Sequence, residues 1–159
     1  MSTRSMIAIE NEDRTVQVVY SHWGGDLCRN GNTLREHYYE VEKIRALLAL
    51  GDISILRANI GEKHPFDDYK SEKISESEEK GWTKFYGRDR DEPDTQAKKY
   101  KNLKAFLKDL NETWCEYVYL YKTDTNKWYY TDIFDDKYNN LKPEHFKLLT
   151  TAACKKKVD

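Results

Sequence analysis

The sequence predicts an α+β fold: an antiparallel sheet built from N- and C-terminal hairpins plus a central strand, with helices packed on one side. Three observations lead there. The stretches SMIAIENEDRTVQVVYSHW and CEYVYLYKTDTNKWYYTDIF each place two β-branched and aromatic runs around polar turn residues. Between them, NTLREHYYEVEKIRALLALG repeats apolar residues at helical spacing. Strands that pair with their sequence neighbours favour this arrangement over a wound parallel sheet.

The first hairpin sets Met6 to Glu10 against Thr15 to Ser21, turning at Asn11 to Arg14. The first helix carries Leu34, Tyr38, Val41, Ile44 and Leu48 on one face, with Thr33 and Glu36 as a capping box and Gly51 as the stop. A second short helix is expected to begin near Ser54, before Gly61 and Pro65 interrupt it. Residues 67–80 hold almost no apolar side chains and read as a mobile polar loop.

WTKFYGRDR reads as the central strand, with Trp82 and Phe85 as core anchors. Beyond EPD, a short extended piece precedes a helix capped by Asn102, whose buried side carries Leu103, Phe106, Leu107 and Leu110. The second hairpin turns at TDTN, and Pro143 opens a last helix that runs to about Ala153. No repeat or linker divides residues 1–159, so a single domain is expected.

Charged residues make up 35% of the chain beside 38% hydrophobic ones, yet the formal net charge is −1, which supplies no field for steering towards DNA or an anionic membrane. Nucleic-acid binding through Lys98, Lys99, Lys101, Lys104 and Lys108 ranks low, because acidic residues interrupt the surrounding chain. Cys28, Cys115 and Cys154 form no CxxC pair, which suits a reducing cytoplasm better than a disulfide framework or a zinc ribbon. The N-terminus lacks a long apolar run, and no stretch of about 18 apolar residues occurs, so a cytosolic protein without a membrane partner is expected.

The chain has no nucleophile elbow, P-loop, HExxH or EF-hand pattern, so no catalytic residue, metal ligand or cofactor is assigned. A metal role for His22 with Cys28 or His37 has no supporting ligand spacing. Three stretches carry binding chemistry. In YSHWGGD, Tyr20, His22 and Trp23 precede two glycines and suit a pocket rim where a ring stacks and an imidazole donates; the alternative is a core tryptophan, a turn and a satisfied histidine.

In FYGRDRDE, an extended backbone sends Arg88 and Arg90 to one face and Asp89 and Asp91 to the other. Two guanidinium groups on one face suit a phosphate or carboxylate, with Asp89 or Glu92 orienting them or accepting from a sugar hydroxyl. The alternative is a solvated strand with weak ion pairs. Arg4, in TRS, stands at the start of the first strand.

TRSMIAIENEDRTVQVVYSHWGG, LLALGDIS, FYGRDRDE and EYVYLYKTDTNKWYY together resemble a family of small, largely uncharacterised accessory proteins of tailed bacteriophages. The likeness covers most of residues 3–130. Similar proteins tend towards HWDGYP where this chain has HWGGDL, so Gly24 stands in place of the usual Asp. The resemblance implies a phage accessory protein working in the host cytoplasm, in a setting where stoichiometric binding serves counter-defence.

The leading expectation is a non-catalytic binder of a nucleotide-like anion, held by Arg88, Arg90 and Arg4, with Trp23, Tyr20 or Tyr86 stacking a base. The second is an inhibitor of a host protein that docks through the tyrosines of the last hairpin, Tyr117 to Tyr130, where Tyr117, Tyr119 and Tyr121 share one strand face. An enzyme with His22 as acid or base and Asp89 as its orienter ranks third. An uncovered tyrosine face or sheet edge would support a homo-oligomer.

Overall fold

The computed structural model describes residues 2–67, 72–110, 115–132 and 141–155. Strands β1 (Ser5–Glu10) and β2 (Val16–Trp23) form the first hairpin, with Met6 opposite Tyr20 and Glu10 opposite Val16. A π-helical turn, Leu27–Gly31, runs into α1 (Asn32–His37), and α2 (Val41–Ala49) follows. Then come β3 (Ile53–Ile55), α3 (Glu72–Glu79), β4 (Lys84–Phe85), α4 (Tyr86–Arg90), β5 (Lys98–Tyr100) and α5 (Leu103–Leu110). The second hairpin is β6 (Tyr117–Lys122) with β7 (Lys127–Asp132); a 3-10 turn (Pro143–His145), β8 (Lys147–Leu148) and α6 (Thr151–Lys155) complete the described chain.

These strands make one mixed sheet of eight in the order β4-β3-β2-β1-β6-β7-β8, with β5 pairing to β2 beside that path. The expected antiparallel sheet is therefore corrected: β1 pairs β6 in parallel, and β2 pairs β3 in parallel. The physical reason is the crossover. Helices α1 and α2 carry the chain back before β3 begins, so β3 enters in the direction of β2, as a helical connection requires.

Both sheet faces are covered, which corrects the expectation of helices on one side. Ile7, Ile9, Val19, Ile53, Tyr119 and Tyr121 pack with Leu34, Ile44, Leu47 and Leu48 of α1 and α2. On the other face Ala8, Val16, Val18, Val118 and Leu120 pack with Leu103, Phe106, Leu107 and Leu110 of α5. Burying each large aliphatic side chain contributes about 1.5–3 kcal/mol. Asn102 caps α5 by accepting the Ala105 N–H at 2.8 Å.

The same covering overturns the docking face expected on the last hairpin: Tyr117, Tyr119 and Tyr121 are 5%, 0% and 2% exposed. They are core residues. The end strands of the sheet path, β4 and β8, have two residues each. A homo-oligomer thus has neither the bare tyrosine face nor a long edge to rest on among the described residues.

Four local expectations also change. The long first helix is broken at Tyr38, whose backbone leaves the helical region at φ −121° and ψ 65°, and Thr33 lies inside α1 without making a cap bond. The helix expected near Ser54 is β3, because Ile53 and Ile55 fill a slot between β2 and β4. Within the segment expected as a loop, Glu72–Glu79 is a helix that buries Ile74 and Ser77, while residues 68–71 lie outside the described residues. Pro143 does open a helical turn, but β8 follows before α6, since Lys147 and Leu148 pair with Tyr130 and Tyr129.

Candidate ligand site

Strand β2 has two partners on one edge. Residues Val16 to Val18 pair with β5, whereas Ser21 and Trp23 pair with β3. Between them, at Tyr20, the strand's N–H is met by a side chain: Asp52 accepts it through Oδ1 at 3.0 Å. Asp52 is itself held by its own N–H, which donates to the Thr95 carbonyl at 2.8 Å. Gly51 permits that approach, with φ 83° and space so tight that a Cβ would stand 2.1 Å from the Thr95 oxygen.

Where β3 and β5 part, a hollow of about 330 Å³ opens on the α5 face of the sheet. Met6, Val18 and Tyr20 contribute from the sheet, Phe106, Asp109 and Leu110 from α5, and Lys98 and Tyr100 from β5. Arg4, Asp52 and Cys115 also line it. The volume lies at the lower end of the roughly 300–1,000 Å³ common for small-molecule sites.

Arg4 is fixed by its backbone. Its carbonyl accepts the Glu116 N–H at 2.9 Å, and the neighbouring Thr3 carbonyl accepts Gly25 N–H at 2.8 Å. Gly25 is required there, since a Cβ would meet Thr3 oxygen at 2.6 Å. Among the described residues the Arg4 guanidinium has no carboxylate or carbonyl partner, so its donors are available at the wall of the hollow.

The Tyr20 hydroxyl and His22 Nδ1 share a hydrogen bond of 2.6 Å. Burial pushes the Tyr20 phenol up to about 12, against the pull of the Arg4 charge. Burial also lowers His22, and the Arg4 guanidinium lowers it further. Desolvation raises the Asp52 carboxyl above its ordinary value, offset in part by the Tyr20 N–H and by Lys98. Opposite Asp52, Tyr100 donates its hydroxyl to Asp109 Oδ2.

The structure divides the residues that the sequence singles out. Arg4 and Tyr20 line this hollow, and His22 is bonded to Tyr20. Tyr86 is half-buried nearby; Ser54, two residues after Asp52, is its hydrogen-bond partner, and Tyr86 is among the groups that raise Tyr20. Trp23 is 46% exposed, with its ring edge-on to His22 at 4.8 Å. It is no core tryptophan, and it belongs to a separate hollow with Gly24, Arg29, Asn30, Thr33, Ile55 and Leu56.

FYGRDRDE is not the extended segment that alternation suggests. Only Lys84 and Phe85 are strand, and Tyr86–Arg90 is a helical turn ended by Asp91 at φ 55°. The cause is Asp89, which is buried and accepts the N–H of Phe85 at 2.8 Å and of His64 at 3.0 Å, winding the chain back on itself.

Arg88 follows it inward. Its Nε and one terminal nitrogen bond Asp89, that nitrogen also bonds the Thr83 carbonyl at 2.8 Å, and the other reaches the carbonyls of Ile60 and Gly61 at 3.0 and 3.1 Å. A guanidinium has five N–H donors, and all are taken by the protein. Arg88 and Asp89 are therefore structural, and the expected face bearing Arg88 beside Arg90 does not form. Arg90 instead pairs with Glu92 at 2.6 Å and lies over the rings of Phe66 and Tyr86. His22 and Asp89 also bond different partners, so the acid–orienter pair is not assembled.

Sequence reading missed Asp52, Tyr100 and Asp109, and gave Lys98 only to a low-ranked nucleic-acid patch. Asp52 had one usable sign, a carboxylate placed directly after the helix-ending Gly51 and before the apolar Ile53. The other three stand in a lysine-rich run and on the polar side of α5, where nothing in spacing separates them from solvated residues. Compared with protein-family models, curated proteins and solved structures, the chain finds no match.

Proposed function

We propose that this protein is a non-catalytic binder that sequesters a nucleotide-like anion in the hollow between β3 and β5. The observation that carries the reading is the Arg4 guanidinium, without a carboxylate or carbonyl partner among the described residues, at the wall of a cavity with aromatic lining. Arg4 would take the anionic group, with Lys98 adding positive charge, while Tyr20 and Tyr100 offer ring surface to a base. Tyr20 at about 12 stays a protonated phenol at neutral pH and repels no anion. The resemblance of the TRS, HWGG and YGRDR stretches to tailed-phage accessory proteins supports a role in counter-defence in the host cytoplasm.

The test is calorimetric titration and thermal shift against a panel of linear and cyclic nucleotides. A ligand specific to the folded state raises the apparent melting temperature, and Arg4→Ala should abolish the rise. Binding that survives Arg4→Ala removes this hollow from the function. A second reading, an inhibitor that binds a host protein, draws on the exposed Trp23 and Tyr39 rather than on the hairpin tyrosines; recovery of a host protein that depends on Trp23 would favour it.

A further inference from the structure

The Asp52 carboxylate divides its two oxygens between fold and hollow. Oδ1 accepts the Tyr20 N–H at 3.0 Å, which fixes the orientation of the group. Among the described residues Oδ2 has no hydrogen-bond donor, and Asp52 lines the hollow that Arg4 also lines. An oriented acceptor in a partly desolvated wall rewards a ligand that brings a donor and penalises one that brings a second acceptor.

We infer that Asp52 is the specificity-determining residue of the proposed anion site, and that it selects a purine nucleotide with hydrogen-bond donors on its base edge. The inference rests on the reading given above for the hollow. Arg4 would meet the phosphate, and Asp52 would meet the base. Guanine suits this best, because its ring N–H and adjacent amino group both offer donors to the free Oδ2, with no acceptor between them. Xanthine replaces that amino group with a carbonyl, which would set acceptor against acceptor.

Substitution offers a clean reversal. In Asp52→Asn the amide oxygen keeps the bond to Tyr20 N–H, while the amide nitrogen turns the free acceptor into a donor. The structural contact survives and the recognition changes sign.

The experiment titrates guanosine, inosine and xanthosine 5′-monophosphates into the wild type, Asp52→Asn and Arg4→Ala. The wild type should bind the guanosine compound at least about tenfold more tightly than the xanthosine compound, with inosine between them. Asp52→Asn should invert that order, and Arg4→Ala should weaken all three alike. Equal affinities in the wild type, or an order that Asp52→Asn leaves unchanged, would overturn the role of Asp52; if Arg4→Ala still abolished binding, the anion site itself would stand. No binding of any of the three to the wild type would remove both.

Discussion

Trp128 donates its indole N–H to the backbone carbonyl of Tyr38 at 2.7 Å, joining residues 90 positions apart in the sequence. The bond satisfies the carbonyl at the point where α1 ends, and Tyr38 places its hydroxyl on the Arg57 carbonyl at 2.7 Å. Trp128→Phe keeps most of the ring packing and removes the donor. A buried carbonyl left without a partner costs about 1–3 kcal/mol, so chemical denaturation should show a loss of that size. An unchanged midpoint would mean that another group takes up the carbonyl.

Arg88→Ala should destabilise the fold itself. The Asp89 carboxylate is fully buried beside it, and removing one partner of a buried ion pair costs about 3–5 kcal/mol. Arg88→Lys should recover little, because an ammonium cannot reach Asp89 and three carbonyls together. Denaturant unfolding of both variants measures this; a fully stable Arg88→Ala would return Arg88 to the list of ligand residues.

Arg4→Ala makes the opposite prediction. With no side-chain bond to lose among the described residues, its stability should stay within about 1 kcal/mol of the wild type, while nucleotide-induced stabilisation disappears. Two arginines that look alike in the sequence should thus separate cleanly, one in unfolding curves and the other in titrations.

His22 should titrate below its ordinary value of 6.5, because burial and the Arg4 charge both disfavour the imidazolium. Its pKa is lower folded than unfolded, so below pH 6.5 the unfolded chain binds the proton first. Stability from this group is therefore complete above that pH and declines as pH falls towards the folded pKa. An NMR titration of the His22 ring checks the direction, and Arg4→Ala should move the midpoint upward. A wild-type midpoint at or above 6.5 would contradict the arrangement.

Gly51→Ala should damage fold and site together. At φ 83° a side chain is strained, and the added Cβ would run into the Thr95 carbonyl that holds the Asp52 N–H. Strained positions of this kind cost about 1–3 kcal/mol before any clash is counted. Equilibrium unfolding gives the loss, and a nucleotide titration at a temperature where the variant remains folded should show weakened binding.

Much of the fold was legible where its causes are local. Both hairpins follow from alternating β-branched and aromatic residues with the turn inside the same stretch, and α5 follows from its apolar spacing and the Asn102 cap. The split between α1 and α2 was hidden because its hydrogen-bond partner, Trp128, is far along the chain. In the candidate site, Arg4, Tyr20 and His22 could be named in advance, yet the hollow they share exists only because β3 and β5 leave β2 at different points.

The amino-acid order alone determined which segments pair with their neighbours, which helix faces are apolar and which stretches hold cations beside rings. Three-dimensional packing decided the rest: that Tyr117, Tyr119 and Tyr121 are core, that Arg88 is consumed by Asp89 and backbone carbonyls, and that Asp52 stands at the divergence of two strands. The reason is physical. Local periodicity fixes the direction of a side chain relative to its own backbone, whereas burial and available hydrogen-bond partners depend on what distant segments bring against it.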